Sequence, residues 1–266
     1  MIGAGLIAFA SKDMIKKLLG PTFDYLGEEI KNLVEKRCKN IGAIFSKATY
    51  KIGTNIEEPG EVSPRVLKQI IDEGSFCEDN LTQEYYAGLL AFSRKGINEN
   101  NEDSIPFFKL VERMSSNQIS LHYFIYYTLI KNLVNLKINV FQSQELQNLK
   151  IGFSIISILE IFGEENLSSK LSDECTLAMK ESLLSSYNFG IDKDIFSHPT
   201  ESEITLIGNT PFLSISPSLY GLNLFLKANN APSNILENKE SKEKWCNDLN
   251  PIKTLSIMPI LINNEK

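Results

Sequence analysis

The sequence predicts a mainly α-helical protein: an N-terminal helical hairpin and a helical lobe, followed by a C-terminal α+β lobe with a small, winged-helix-like β-hairpin. Two observations support this prediction. Apolar residues recur at three- and four-residue steps through most of the chain, which is the period of an amphipathic helix. Short β-prone runs joined by a glycine turn occur only late in the chain, and they suggest the hairpin.

The 266 residues are predicted to form four segments. Residues 1–52 hold the amphipathic N-terminal helices, 62–114 the helical lobe, 115–230 the C-terminal winged-helix-like lobe and 231–266 a polar tail. An apolar fraction of 42% makes the chain too apolar for disorder, and 23% charged residues make it too polar for a membrane bundle. The composition therefore predicts an ordinary globular protein.

The first segment is predicted to contain two helices that separate at Gly20-Pro21, because proline fits only at the start of a new helix. The second helix continues to Lys51 and carries a narrow apolar seam, which Arg37 interrupts. The seam residues are Phe23, Leu26, Ile30, Leu33, Ile41, Ile44 and Ala48. Such a seam packs either against its own lobe or against a second subunit.

The start of the chain is predicted to be a membrane or partner surface. Its apolar and basic side chains are Ile2, Leu6, Ile7, Phe9, Lys12, Lys16 and Lys17. The apolar run ends at Lys12, well short of the roughly 20 residues of a spanning helix, and no basic region precedes it as in a secretory signal. We therefore expect a cytoplasmic protein, or one peripheral to the inner membrane.

The helical lobe follows a linker at residues 53–61. Its first helix is predicted to begin at Ser63-Pro64, since serine caps a helix and proline fits its first turn. The buried face of this helix comprises Val66, Leu67, Ile70 and Ile71. After an acidic turn, a second helix over residues 81–94 places Leu81, Tyr85, Leu89 and Phe92 on one side, and Gly96 closes it. A short third helix begins at Pro106 and ends near Met114.

The C-terminal lobe is predicted to begin with a long helix, which Ser115-Ser116-Asn117 caps and whose tyrosines serve packing rather than base stacking. Helical patterns continue over residues 153–162 and 173–187. Two β-prone runs, 203–207 and 211–215, then suggest the hairpin. Ser216-Pro217 repeats the cap signature of Ser63-Pro64 and predicts a final helix. Trp245, in the polar tail, is not assigned to a core.

No catalytic, metal or nucleotide-binding motif occurs in the sequence, which lacks a phosphate loop, a dinucleotide fingerprint and a nucleophile elbow. We therefore expect no enzymatic activity, no metal and no cofactor. The cysteines are far apart and are predicted to be free thiols: Cys38, Cys77, Cys175 and Cys246. His122 is expected to be packed in a helix, and His198 lies in a loop. The net charge of −6 argues against nucleic acid as a partner.

Three parts of the chain show a combined pattern of glycine turns, caps and apolar faces. They are Leu18–Ile30, Val62–Gly96, and Met114–Ile119 with Phe212–Ala228. Together these parts resemble the Abi-alpha family of bacterial abortive-infection proteins. Tyr86 and Gly88 depart from the tryptophan and asparagine that often stand there in the family. The resemblance implies a role in defence against phage, and it assigns no site residue.

Three functions follow as hypotheses. The first is an anti-phage defence protein that binds a protein partner or a second copy of itself. The second is a membrane-active growth-arrest effector that uses its N-terminal helices. The third is a winged-helix nucleic-acid binder, for which the C-terminal lobe offers few basic residues beyond Lys193 and Lys227.

Overall fold

The structure is a computed structural model. It describes residues 16, 17, 20, 27–94, 102–133, 146, 149–154, 158, 167–190, 212–232, 235, 240, 243–245, 249 and 260–263. The helices are α1 (Gly27–Ile52), α2 (Pro64–Asp72), α3 (Asn80–Ser93), α4 (Ile105–Arg113), α5 (Ser116–Leu133), α6 (Leu167–Lys180) and α7 (Leu219–Ala228). The strands are β1 (Leu149–Ser154), β2 (Leu184–Gly190), β3 (Phe212–Pro217) and β4 (Ile260–Asn263). The prediction of a mainly helical fold is confirmed.

The chain divides into two compact units. The first comprises Met1–Ile119 and Leu226–Ala231, and the second comprises Ser120–Phe225 and Pro232–Lys266. This division falls within the segment that the sequence assigned to the C-terminal lobe. It also places all but the first residue of the predicted polar tail, residues 231–266, in the second unit.

Helix α1 packs its apolar seam into the first unit. Ile41, Ile44 and Ala48 are buried, as predicted for the later half of the seam. Phe23 and Leu26 lie outside the described residues, and the side chains of Ile30 and Leu33 are not described either. Arg37, which interrupts the seam, has φ −136° and ψ 24°, so the helix kinks at this residue.

An ion-pair cluster links α1 to α3. The ammonium groups of Lys47 and Lys51 lie 2.9 and 3.0 Å from the two carboxylate oxygens of Glu84. Burial raises the pKa of Glu84, but the two lysines outweigh burial and the net pKa is lowered. Glu84 is therefore charged at neutral pH, and its two ion pairs join α1 to α3.

Side-chain caps set the starts of α2 and α3. Ser63 Oγ accepts a hydrogen bond from the Val66 amide at 3.2 Å, and Pro64 occupies the first turn, so the predicted start is confirmed. Asp79 caps α3 by accepting from the Thr82 amide at 2.7 Å. Helix α3 is then buried on several faces rather than one, and its apolar face is broader than the sequence predicted. Gly96 lies outside the described residues.

Gly88 allows α3 to approach the end of α7 closely. A Cβ atom at this position would lie 1.5 Å from the carbonyl oxygen of Ala228, near the end of α7. Helix α7 ends there in a Schellman motif, in which the Asn230 and Ala231 amides donate to the carbonyls of Lys227 and Leu226. Asn230 has φ +48°, the left-handed conformation that this motif requires.

In the second unit, an antiparallel sheet has the strand order β2-β3-β1-β4. No strand was predicted over residues 149–154. The helix predicted over residues 153–162 is wrong at its start, because residues 153 and 154 belong to β1. Leu149, Ile151 and Phe153 are buried at every second position, which is the strand period.

The helix predicted over 173–187 ends at Lys180. Ser182 has φ +59°, and the amides of Ser182 and Leu183 donate to the carbonyls of Met179 and Ala178. This second Schellman motif stops α6, and β2 begins at Leu184. The serine-rich sequence carries no glycine at the left-handed position, which explains why the helix end was missed.

The predicted β-hairpin differs from the observed sheet. Its first strand, residues 203–207, lies outside the described residues. Its second strand is present as β3, but β3 pairs with β1 on one edge and β2 on the other. Because both edges are occupied, the predicted hairpin partner was wrong.

The end of β3 and the following cap also differ from the prediction. Ser216 and Pro217 belong to the strand, and Ser218 caps α7 by accepting from the Gly221 amide at 2.9 Å. The tail also contributes to the core. Ile235, Trp245 and Leu249 are buried, and Trp245 meets the Phe225 ring edge-on at 6.1 Å between centroids. Residues 231–266 therefore do not form a purely polar tail.

Candidate binding surface

Two of the predicted surface residues lie in the described part of the chain. Lys16 and Lys17 are both exposed. The others, Ile2, Leu6, Ile7, Phe9 and Lys12, lie outside the described residues. The structure therefore describes two of the seven residues, and their role as a membrane or partner surface stays a prediction.

Lys17 forms an ion pair with Glu57, which ends the short 3₁₀ helix Gly53–Glu57. Its Nζ atom lies 2.6 Å from Oε1 and 2.5 Å from Oε2. The side chains keep 47% and 66% of their surface exposed, so water and salt weaken the attraction. This pair therefore holds the N-terminal segment only weakly.

Arg94 joins the same N-terminal segment to the linker through backbone carbonyls. Its Nε donates to the carbonyl of Lys17 at 3.2 Å. The two terminal nitrogens donate to the carbonyls of Asn55 at 3.2 Å, Ile56 at 3.3 Å, and Glu58. A guanidinium suits this task because it offers five donors in a fixed plane. Burial lowers the pKa of Arg94, and the Glu58 charge opposes that effect.

Gly20 brings the N-terminal segment close to the linker. Its amide donates to the Lys16 carbonyl at 2.8 Å, and its φ of +61° ends the helical turn there. A Cβ atom at Gly20 would lie 2.5 Å from the Gly60 carbonyl oxygen. The predicted break at Gly20-Pro21 is thus confirmed at Gly20. We call Lys17, Gly20, Glu57, Gly60 and Arg94 the N-terminal junction.

A second surface feature lies at the kink of α1. The Phe76 side chain is 64% exposed, and the Arg37 guanidinium carbon lies 4.7 Å from the centre of its ring. The 3₁₀ helix Gly74–Phe76 is held against α1, because the Asn40 side-chain amide donates to the Ser75 carbonyl at 3.0 Å. We call this pair the Arg37–Phe76 surface.

Sequence reasoning identified Arg37 only as an interruption of an apolar seam. It did not single out Phe76, which lies two residues before the acidic turn that begins at Glu78. The two residues are far apart in sequence, and only the packing of the 3₁₀ helix Gly74–Phe76 on α1 brings them together. The available signals were an arginine in an apolar seam and a large apolar residue close to an acidic turn.

The described cysteines are free thiols, as predicted. Burial, followed by the charge of Asp79, raises the pKa of Cys77 to about 11. Burial, followed by the charge of Glu174, raises the pKa of Cys175 to about 12. Both thiols are therefore protonated at neutral pH and are poor nucleophiles. The side chains of Cys38 and Cys246 are not described.

His122 is packed in the second unit, as predicted. Its Nε2 lies 3.0 Å from the Gly221 carbonyl oxygen, and burial lowers its pKa to about 3. The ring is therefore neutral and donates from Nε2. It contacts the Tyr126 ring at 4.7 Å between centroids. His198 lies outside the described residues.

Within the described part of the chain, no group of three or more His, Cys, Asp and Glu side chains is arranged to hold a metal ion. No described helix has the length and apolar content needed to cross a membrane. No family model, curated protein or solved structure matches the chain.

Proposed function

We propose that this chain is a bacterial anti-phage defence protein that acts by binding a protein partner rather than by catalysis. The observation that supports binding is the Arg37–Phe76 surface. Phe76 keeps 64% of its surface in water, so its apolar ring gains little free energy from burial in this chain. A partner that covers the ring removes that surface from water and gains this free energy. Arginine and aromatic residues are also the types enriched where binding energy concentrates.

The chemistry of this surface defines the partner that fits it. Phe76 fits an apolar pocket, while Arg37 keeps donors available for a carboxylate beside that pocket. We therefore propose a protein partner that presents an acidic side chain next to an apolar depression. A second copy of the chain is the alternative partner of the same chemical class.

The defence role rests on a resemblance to the Abi-alpha family, which is carried by Leu18–Ile30, Val62–Gly96, and Met114–Ile119 with Phe212–Ala228. A cytoplasmic location, with contact to the inner membrane through the start of the chain, is part of the same proposal. The direct test compares phage plating on otherwise identical bacteria with and without the gene. The proposal expects fewer plaques on cells that carry the gene, and equal plating across a broad phage panel contradicts it.

The winged-helix alternative concerns nucleic acid and draws on the C-terminal lobe. Lys227, one of its two basic candidates, has its ammonium 4.7 Å from the Phe92 ring centre and 4.8 Å from that of Phe107. These rings give Lys227 a packing role. Lys193 lies outside the described residues. A salt-dependent mobility-shift assay that detects binding to DNA or RNA would favour this alternative over a protein partner.

A further inference from the structure

We propose that the protein that covers the Arg37–Phe76 surface is a second copy of this chain, in a symmetric dimer in which Arg37 of each copy pairs with Glu73 and Glu112 of the other. The proposed dimer rests on the proposed function, since it uses the same binding surface and commits to one of the two partners that fit it. All of its residues lie in the described part of the first unit.

Two carboxylates close to this surface are not matched by a cation. Glu73 is the C-cap of α2 and leads into the 3₁₀ helix Gly74–Phe76, where its carbonyl accepts from the Phe76 amide at 3.1 Å. Glu112 lies on α4, which packs against α2. Neither carboxylate forms an ion pair with a described residue. Burial, followed by the charges of Glu112 and Asp72, raises the pKa of Glu73, so Glu73 and Glu112 repel each other.

A buried hydroxyl close to these carboxylates also lacks a partner. Tyr86 keeps 3% of its surface exposed, and its hydroxyl forms no hydrogen bond with a described residue. Its ring stacks on Phe108 of α4 at 6.1 Å between centroids, and Glu112 follows Phe108 by one helical turn on the same face. Burial, followed by Cys77, Glu73 and Glu112, raises the pKa of Tyr86. A buried hydroxyl without a partner costs free energy, which a ligand that donates to it recovers.

The two carboxylates and the hydroxyl share one requirement, which is a positively charged hydrogen-bond donor. Ionised carboxylates only accept hydrogen bonds, and a tyrosine hydroxyl can accept one as well. In the part of the chain that the structure describes, no group of acidic, cysteine and histidine side chains is arranged to hold a metal ion. A guanidinium offers five donors in one plane and so serves several acceptors at once, which favours arginine as the ligand.

The chain itself carries such an arginine. Arg37 is exposed, its guanidinium carbon lies 4.7 Å from the centre of the Phe76 ring, and it forms no ion pair with a described residue. One surface therefore presents a cation from α1, an apolar ring from the 3₁₀ helix, and carboxylates from α2 and α4. A surface with both charges and an apolar centre can pair with its own copy about a two-fold axis. The two exposed Phe76 rings then cover each other.

The test is sedimentation velocity of the purified 266-residue chain over a range of micromolar concentrations. Arg37→Glu replaces the cation by an acid, and the double variant Glu73→Arg with Glu112→Arg makes the opposite change. Each variant alone should dimerise at least about tenfold more weakly than the parent, because both contacts of the symmetric dimer become repulsive. An equal mixture of the two variants should recover the dimer, because opposite charges then face each other at both contacts.

Two controls separate the interface from general effects of charge and folding. Arg65→Glu makes the same charge change at a side chain that is 69% exposed and paired with Glu102, so it should dimerise like the parent. Tyr86→Phe should weaken the dimer several-fold without lowering the urea midpoint of the monomer, because the hydroxyl that it removes has no partner in a single copy. Circular dichroism of each variant checks that the fold is kept.

Three results would overturn the proposed dimer. They are a parent chain that stays monomeric at every concentration, a parent dimer that neither charge variant weakens, and a mixture of the two folded charge variants that stays monomeric. None of these results bears on phage plating by Phe76→Ser, so binding of another protein through the same surface is judged separately. Conversely, equal phage plating with and without the gene overturns the defence role and leaves the dimer as measured.

Discussion

In the second unit, buried polar side chains are held in place by hydrogen bonds to protein groups, because burial keeps them from water. The Tyr126 hydroxyl donates to the Leu183 carbonyl at 2.6 Å and accepts from the Ser218 amide at 2.9 Å. Burial raises the pKa of Tyr126 to about 12, and its hydrogen bonds to Ser218 oppose that rise. The tyrosine cluster of α5 therefore serves packing, and the sequence predicted this role from the absence of interleaved basic residues.

His122 makes stability depend on pH. Its pKa is about 3 when folded and 6.5 in its ordinary state, so the unfolded chain takes up the proton first as pH falls. Stability is fully present above pH 6.5 and is lost between there and pH 3, by at most about 1.4 kcal/mol per pH unit. His122→Gln removes this part of the pH dependence.

The measurement is urea unfolding of the parent and His122→Gln at several pH values. Comparing the two chains removes the contribution of carboxylates such as Glu84, which both chains share. We expect the parent to lose stability relative to the variant as the pH is lowered. A difference that stays constant from neutral to acid pH contradicts the buried, neutral histidine.

Gly88 tests the close approach between α3 and the end of α7. Gly88→Ala places a carbon 1.5 Å from the Ala228 carbonyl, so we expect a loss of about 3 kcal/mol or more in unfolding free energy. Gly53→Ala is the control, because a Cβ atom at Gly53 meets nothing within 4 Å and only its φ of +61° opposes the change. The control should lose about 1 kcal/mol. If Gly88→Ala and Gly53→Ala lost equal unfolding free energy in urea, the close approach of α3 to the end of α7 would be contradicted.

At the scale of elements, caps show how one residue position decides a boundary. Ser218 Oγ accepts from the Gly221 amide and donates to the Ser182 carbonyl at 2.6 Å. Ser218→Ala should therefore lower the free energy of unfolding by about 1 kcal/mol. Ser216→Ala is the control, since Ser216 lies in β3 and does not cap α7. If urea unfolding showed a larger loss of unfolding free energy for Ser216→Ala than for Ser218→Ala, it would favour the helix start that the sequence predicted at Ser216-Pro217.

The sequence predicted the helices that begin with strong caps. It failed where the periodic pattern of apolar residues covers only a few positions. Ser63-Pro64 and the apolar face of α2 were correct because cap, proline and period agree. Strand β1 was missed because the alternation of Leu149, Ile151 and Phe153 covers only a few residues. The partners of β3 could not be predicted, since strand pairing joins residues far apart in the chain.

At the scale of the whole molecule, the membrane or partner surface predicted at the start of the chain stays a prediction. Of its residues, Lys16 and Lys17 are described, and both are exposed. The partners of Lys17 were not predicted, because Glu57 and Arg94 come from the linker and the end of α3. The Arg37–Phe76 surface was missed for the same reason. Contacts between distant segments depend on tertiary packing, which periodicity does not encode.

We propose that the chain defends bacteria against phage by binding through the Arg37–Phe76 surface. Its most direct test is plating of one phage that the parent gene restricts, on cells that express the parent, Phe76→Ser or Tyr50→Ser at equal levels. Tyr50 is the matched control, because it is 85% exposed and lies about 20 Å from Arg37 along α1. We predict that Phe76→Ser restores plating to that of cells without the gene, whereas Tyr50→Ser still restricts the phage. Full restriction by Phe76→Ser would contradict the claim.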